Sequence, residues 1–381
     1  MLYLAWLFLL LSIAAIFYYC YCIYAAVDFF TNKPSINPNF HPSVSILKPL
    51  CGLEPDSYHN LSSFVKQDYP EYQIVFAVRE NTDPIIPIVE QLQKDFPEKD
   101  LSLVIDPRVI GTNLKVSNLA NAILKAKYDI LIIADSDIVV ESDYLKRVVQ
   151  PLAEEKVGVV TCLYNSRIKG WLAVFEALNI STQFAPSVLT ARKLQGISFA
   201  FGSTIVIHHQ VLAEIGGFEA IADCLADDFQ LGNLPSKKGY KVVLSDCIVE
   251  HYLGTNNIQD FISRQIRWLR CIRVERFWDY LGLIFTQGTA TSLLFLIASF
   301  GSKLAWFILG ITYFLRLLMA WIIAVIYLQD NIAKKYFLLV PLRDAIGFLL
   351  WIYALFGNKI YWRGKQFKLV KGGKLEPIFK K

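Results

Sequence analysis

The stretch from Leu2 to Val27 is almost wholly apolar and aromatic and carries no charge. About 20 such residues in a helix cross the ~30 Å hydrocarbon core of a bilayer. A backbone in lipid must satisfy its own hydrogen bonds, so this end of the chain is confined to a membrane helix. A cleaved signal peptide would need a basic leading region and a shorter apolar core, so the segment is expected to remain as an anchor. Three more apolar stretches, roughly 281–300, 304–328 and 336–356, occupy the C-terminal third. They raise the hydrophobic share of the 381 residues to 54%, above the about 45–50% usual in soluble domains. The expected organisation is therefore an N-terminal anchor (1–27), one soluble α/β domain (28–278), a membrane region of up to three helices (279–357) and a basic tail (358–381).

The tail holds eight Lys or Arg residues against one acid, Glu376. A basic segment directly after a span suits anionic lipid headgroups, and no nucleic-acid partner is expected. Three crossings after a cytoplasmic domain would nevertheless place this tail outside, against the positive-inside rule. The first of the three stretches, with Thr286, Gln287, Thr289, Thr291 and Ser292, is the most polar and the candidate for a re-entrant or interfacial segment. The seven cysteines show no CxxC pair and no ligand spacing with His, so neither zinc nor a disulfide framework is expected.

Residues 43–50, 72–78, 101–105 and 129–134 are short apolar runs with the length of buried strands. Helical spacing fills the gaps, over 58–67, after Asp83-Pro84, and over 115–127 with Leu119, Ala122, Ile123 and Ala126 inward. Alternating strands and helices predict a parallel sheet of the nucleotide-binding type. Ligands of such sheets lie off the carboxyl ends of the strands, and the loops holding Lys48, Asp83 and Asp135-Ser136-Asp137 all leave those ends.

Each polar cluster has a structural and a chemical reading. Asp135 and Asp137 form a polar turn, or else share a hard divalent cation with a diphosphate, since Mg²⁺ takes one or two carboxylates plus phosphate oxygens. Asp83 caps the following helix, or accepts the imide N–H of uracil. Asp227-Asp228 caps a helix, or Asp228 is a general base for an acceptor hydroxyl. Arg264, Arg267 and Trp268 share one helix face, as an interfacial belt or as a diphosphate clamp with an apolar wall. Trp171, Val174, Phe175 and Leu178 mark either a core helix or an in-plane amphipathic helix.

Together, in this order, the clusters resemble the lipid-directed and processive glycosyltransferases of the GT-A fold, with spaced aspartates, a D-x-D and a (Q/R)-x-x-R-W motif. The closer resemblance is to the ceramide glucosyltransferase-like family 21, through Leu47-Lys48-Pro49-Leu50 with Gly52, Asn113 to Leu119, Gly216-Gly217 and the terminal spans. Lys48-Pro49-Leu50-Cys51-Gly52, Asp106-Pro107-Arg108 and Phe199-Ala200-Phe201-Gly202 look most like the bacterial hopanoid-modifying branch, which adds N-acetylglucosamine to bacteriohopanetetrol. Where ceramide enzymes often read Asp-Ser-Gly, this chain has Asp137, which favours direct metal binding. The resemblance implies Asp83 for uridine, and Asp135 and Asp137 for Mg²⁺ or Mn²⁺ and the diphosphate. It implies Asp228 as base, and Arg264, Arg267 and Trp268 for diphosphate and acceptor, with Lys48 and Lys115 on the donor side.

The reading is a Rossmann-like GT-A domain on the cytoplasmic face of a multi-pass protein, in a bacterial inner membrane. It would transfer a hexose or N-acetylhexosamine from a UDP-sugar to a hydroxyl of a membrane lipid, a hopanoid polyol or ceramide, with inversion. A polysaccharide-directed enzyme would need more spans for a polymer channel. A transporter is disfavoured because three C-terminal spans are few, with Arg316 read as the single charge deep within one.

Overall fold

The computed structural model describes residues 2–32, 36–54, 56–254 and 257–378, so the end of the expected basic tail, 379–381, lies outside the described residues. The chain forms two compact units. One comprises Lys33–Tyr164 and Gln195–Tyr252; the other comprises Met1–Asn32, Asn165–Leu194 and Leu253–Lys381.

The first unit is built on an eight-stranded sheet of β1 (Val44–Pro49), β2 (Tyr72–Val78), β3 (Asp100–Ile105), β4 (Ile130–Ile133), β5 (Ile138–Val139), β6 (Val157–Lys169), β7 (Ile205–His208) and β8 (Lys241–Gly254), in the order β3-β2-β1-β4-β7-β6-β8-β5. Every residue of β1 and β4 is buried, as strands covered on both faces require. Phe64, Val89, Tyr144 and Val148 pack from the flanking helices.

The expected parallel arrangement holds over the four strands read from the sequence, and the sheet as a whole is mixed. β3, β2, β1 and β4 are parallel, but β7 runs antiparallel to β4, and β6 antiparallel to β7. Parallel pairing needs a crossover of a dozen residues or more, usually a helix. The strands of the parallel half are joined by such helices, Ser57–Val65, Ile86–Asp95 and Leu114–Ala122.

In the second unit, among the described residues, three helices are long and apolar enough to cross a membrane: Leu2–Thr31, Lys303–Tyr327 and Phe337–Ala354. The polar first C-terminal stretch is instead a pair of helices, Phe277–Thr286 and Gly288–Ala298, bent by 63°. The Tyr19 hydroxyl satisfies the backbone at the break, accepting from Gly288 N at 3.0 Å and donating to Thr286 O at 3.1 Å. A Cβ at Gly288 would stand 2.6 Å from that hydroxyl, so the close approach needs glycine.

Arg316 is not the single charge deep within these apolar helices: Arg343 and Asp344 join it. Arg316 binds Asp344 with two parallel hydrogen bonds of 2.8 Å, Thr289 Oγ1 donates to Asp344 at 2.8 Å, and Arg343 lies 3.2 Å from the same carboxylate. The pattern is invisible in hydropathy because apolar neighbours dilute the adjacent Arg343 and Asp344, and Arg316 lies on a different helix. Removing one partner of a buried pair typically costs about 3–5 kcal/mol. Asp344→Ala should therefore lower the thermal unfolding midpoint in detergent sharply, and an unchanged midpoint would refute a stabilising role.

The tail, read from its charge alone, folds into an antiparallel sheet of β9 (Lys359–Trp362), β10 (Lys365–Val370) and β11 (Lys374–Pro377). Arg270 and Arg273, on the helix Ile258–Glu275, hold the connection before β9 by donating to the carbonyls of Leu355, Phe356 and Gly357.

Candidate active site at the carboxyl ends of the strands

Beyond β1 the chain turns at Gly52, whose φ of +74° favours glycine. Both Asp83 carboxylate oxygens accept from Gly52 N at 3.0 Å, and one also accepts from Ile85 N at 3.0 Å. Asp83 thus ties the β1 exit to the β2 exit. An ionised carboxylate has about four lone-pair sites, so it retains capacity for a ligand N–H.

Lys48, expected among the donor contacts, is fully buried at the end of β1. Its ammonium donates to the Asp135 carbonyl at 2.6 Å and lies 3.8 Å from the Phe64 ring centre. Burial lowers its pKa to about 7, against the pull of Asp135 and Asp137. It supports the turn after β4 from beneath.

Asn113 caps the helix Leu114–Ala122, accepting from Lys115 N and Val116 N, as an N-cap side chain should. The same side chain donates to Cys224 O at 2.9 Å and Asp227 at 3.3 Å. The cap therefore fixes the third acidic motif against this helix. Lys115 then joins two motifs: its ammonium lies 2.7 Å from Asp135 and 2.9 Å from Asp227. Burial opposes its charge, but Asp135, Asp227 and Asp228 outweigh burial and raise its pKa.

Gly202 makes the closest link. Asp135 N donates to Gly202 O, and Gly202 N donates to Asp228 Oδ2, each at 3.0 Å. A Cβ at position 202 would overlap the Asp135 carboxylate. The other Asp228 oxygen accepts from Phe229 N at 2.8 Å. Burial, then the charge of Asp227, pushes the Asp228 pKa up to about 6. Asp137 faces His251 at 3.1 Å, and β5 and β8 hold the two residues in place by pairing Ile138 with His251. Burial opposes ionisation of Asp137, but His251 outweighs it and lowers the pKa, whereas burial raises that of Asp135.

The structure thus gathers Lys48, Lys115, Asp135, Asp137 and Asp228 into one network, with Asp83 at the neighbouring strand exit. Sequence reading missed Gly202 and His251 as members, and took Asp227 as a helix cap or as the alternative base to Asp228. The one signal for Gly202 was its place in the Phe199–Gly202 stretch. Arg264, Arg267 and Trp268 lie in the other unit, on the helix Ile258–Glu275. Arg264 binds the fully buried Glu176 at 3.2 Å and Gly254 O at 3.3 Å. Arg267 rests over the Trp362 ring at 5.8 Å; burial, then repulsion from Arg264, lowers its pKa to about 10. Trp268 is half-buried on the same helix.

A mixed α/β sheet with acidic residues at its strand exits is the architecture of GT-A glycosyltransferases. The structure is similar to that of a mannosyltransferase from Pyrobaculum calidifontis solved with GDP-Man and Mn²⁺, with a TM-score of 0.57 and 18% identity over 92% of this chain and 96% of that one. The model of glycosyl transferase family 21 matches residues 6–375, and the chain belongs to that family of enzymes. Among its relatives in Caenorhabditis elegans, ceramide glucosyltransferase 1 is 26% identical, covering 96% of this chain and 78% of the relative. Ceramide glucosyltransferase 3 is 25% identical, covering 88% and 74% respectively.

Proposed function

We propose that this glycosyltransferase moves a hexose or N-acetylhexosamine from a UDP-sugar to a hydroxyl of a membrane lipid, inverting the anomeric carbon. The observation that carries this reading is the Gly202 link, which holds the Asp228 carboxylate one residue away from the Asp135 turn. Asp228 accepts the hydroxyl proton as the acceptor oxygen attacks the anomeric carbon and the bond to the diphosphate breaks. A pKa near 6 leaves it ionised at neutral pH and basic enough to help. One displacement without a covalent intermediate gives inversion.

A divalent cation fits the acidic turn. Asp137 Oδ1 is buried without a hydrogen-bond partner, a position suited to a hard cation. Among the described residues no cluster of three or more metal-binding side chains exists, so diphosphate oxygens would complete the shell around Asp135 and Asp137, as Mg²⁺ and Mn²⁺ sites of this kind allow. When bound, the cation neutralises charge on the departing diphosphate. Asp83, oriented by Gly52 N and Ile85 N, accepts the uracil imide. Lys115 balances the acids, and Lys48 positions the Asp135 backbone. For Arg264, Arg267 and Trp268 the family resemblance supports roles toward diphosphate and acceptor.

The relatives' names favour ceramide as acceptor; the Lys48–Gly52 and Phe199–Gly202 stretches favour a hopanoid polyol such as bacteriohopanetetrol. In a bacterial inner membrane with a cytoplasmic catalytic unit, a re-entrant bent pair leaves three crossings. The basic tail then faces the cytoplasm, as the positive-inside rule prefers. The test is product analysis by mass spectrometry after incubation with UDP-glucose or UDP-N-acetylglucosamine and bilayers containing ceramide or bacteriohopanetetrol. Turnover should require the lipid and fall in Trp268→Ala. Efficient transfer to a soluble oligosaccharide, indifferent to lipid, would replace this reading with polysaccharide synthesis.

A further inference from the structure

The turn joining β9 to β10 is Arg363-Gly364, closed by the pairing of Trp362 with Lys365. Both central residues have positive φ, +48° and +75°, the signature of a type I′ hairpin turn, for which Asn-Gly is favoured. A long side chain in the left-handed region is uncommon and strained, and such strain concentrates at functional positions. What the chain gains from arginine here is a second cation on one ring. The guanidinium carbons of Arg363 and Arg267 lie 5.7 and 5.8 Å from the centre of the Trp362 ring, both within cation–π range. Among the described residues, no carboxylate lies within ion-pair distance of either. Glu176, the buried acid nearby in charge, is engaged with Arg264. Arg264 and Arg363 both repel the charge on Arg267. Two guanidiniums within cation–π range of one indole and lacking a carboxylate leave their planar N–H forks for an oxyanion, and phosphate is the group that fork geometry suits.

We propose that Arg267, Trp362 and Arg363 form a phosphate-binding site, so that the C-terminal hairpin takes part in ligand binding. The phosphate comes from the nucleotide diphosphate or from a lipid headgroup. The site deepens the glycosyltransferase reading and rests on it for the diphosphate source. The experiment uses the full chain in phosphatidylcholine nanodiscs, titrated with UDP in Mn²⁺ or, separately, with dihexanoyl phosphatidylglycerol. Arg363→Asn removes the guanidinium and installs the favoured turn residue, so its unfolding temperature should not fall. It should weaken one of the two probes by about tenfold, the scale of one charge-assisted hydrogen bond, and the probe affected identifies the source. Arg363→Lys, which keeps the charge without the fork, should fall between. Wild-type affinity for both probes in Arg363→Asn would overturn the site, and full recovery by Arg363→Lys would overturn the role of the guanidinium fork. Absence of UDP binding by the wild type would count against the donor reading, leaving the lipid probe to decide the hairpin.

Discussion

Asp228→Asn should lower kcat by at least ~10²-fold, the scale of lost general-base help, while UDP affinity barely changes. The amide can still accept one of the two backbone hydrogen bonds that hold the carboxylate, from Gly202 N and Phe229 N, but it cannot take a proton. In the wild type, activity should fall as pH drops through about 6, where Asp228 becomes protonated. The linkage to stability has the opposite sense. A carboxyl with a raised folded pKa favours the fold below its ordinary range and loses that contribution as pH rises through about 6. At this residue acid silences the base without loosening the fold, so kcat and unfolding profiles measured over pH 5–8 should diverge. Collapse of UDP binding in the variant would make Asp228 a donor-site residue, and Asp227, 2.9 Å from Lys115, the next candidate for the base.

Asp135→Ala and Asp137→Ala should each reduce transfer by about 10²–10³-fold or more, the scale for losing a group that stabilises developing charge. EDTA should reproduce the loss, and Mn²⁺ or Mg²⁺ should restore activity. The two variants differ in what they leave behind: Asp135→Ala leaves Lys115 facing Asp227 alone, and Asp137→Ala leaves His251 without its carboxylate. Neither carboxylate packs in the apolar core, so circular dichroism and unfolding temperature should stay close to wild type. Full activity in a rigorously metal-free preparation would rule out the metal role.

The local half of this site was legible because it follows local rules. Apolar runs of strand length ended in Lys48, Asp83 and Asp135, and the carboxyl ends of β1, β2 and β4 do lie side by side. The cross-links were not legible, because no spacing encodes them. His251 reaches Asp137 across 114 residues; Lys115 meets Asp227 only because Asn113 caps a helix and binds Cys224 O at the same time. The antiparallel strands β6 and β7 were missed because their pairing depends on connection geometry rather than residue pattern. Arg343 and Asp344 were lost within a hydropathic window that their neighbours dominate.

The segment Asn165–Leu194 divides the sheet-bearing unit into two stretches of chain while belonging to the other unit. Trimming both termini therefore cannot yield a free-standing enzyme. A fragment lacking everything after residue 252 would keep Val174 and Leu178 but lose Ala320, Ala324, Ala333 and Val340, against which they pack. The same interleaving sets an order on biogenesis. β4 leaves the ribosome well before β7, its antiparallel partner, and the intervening segment must be made first. During that interval β4 has an open edge, the kind of surface on which nascent sheets associate wrongly. Delivery to the membrane and completion of the sheet are thus one continuous task for the translating chain.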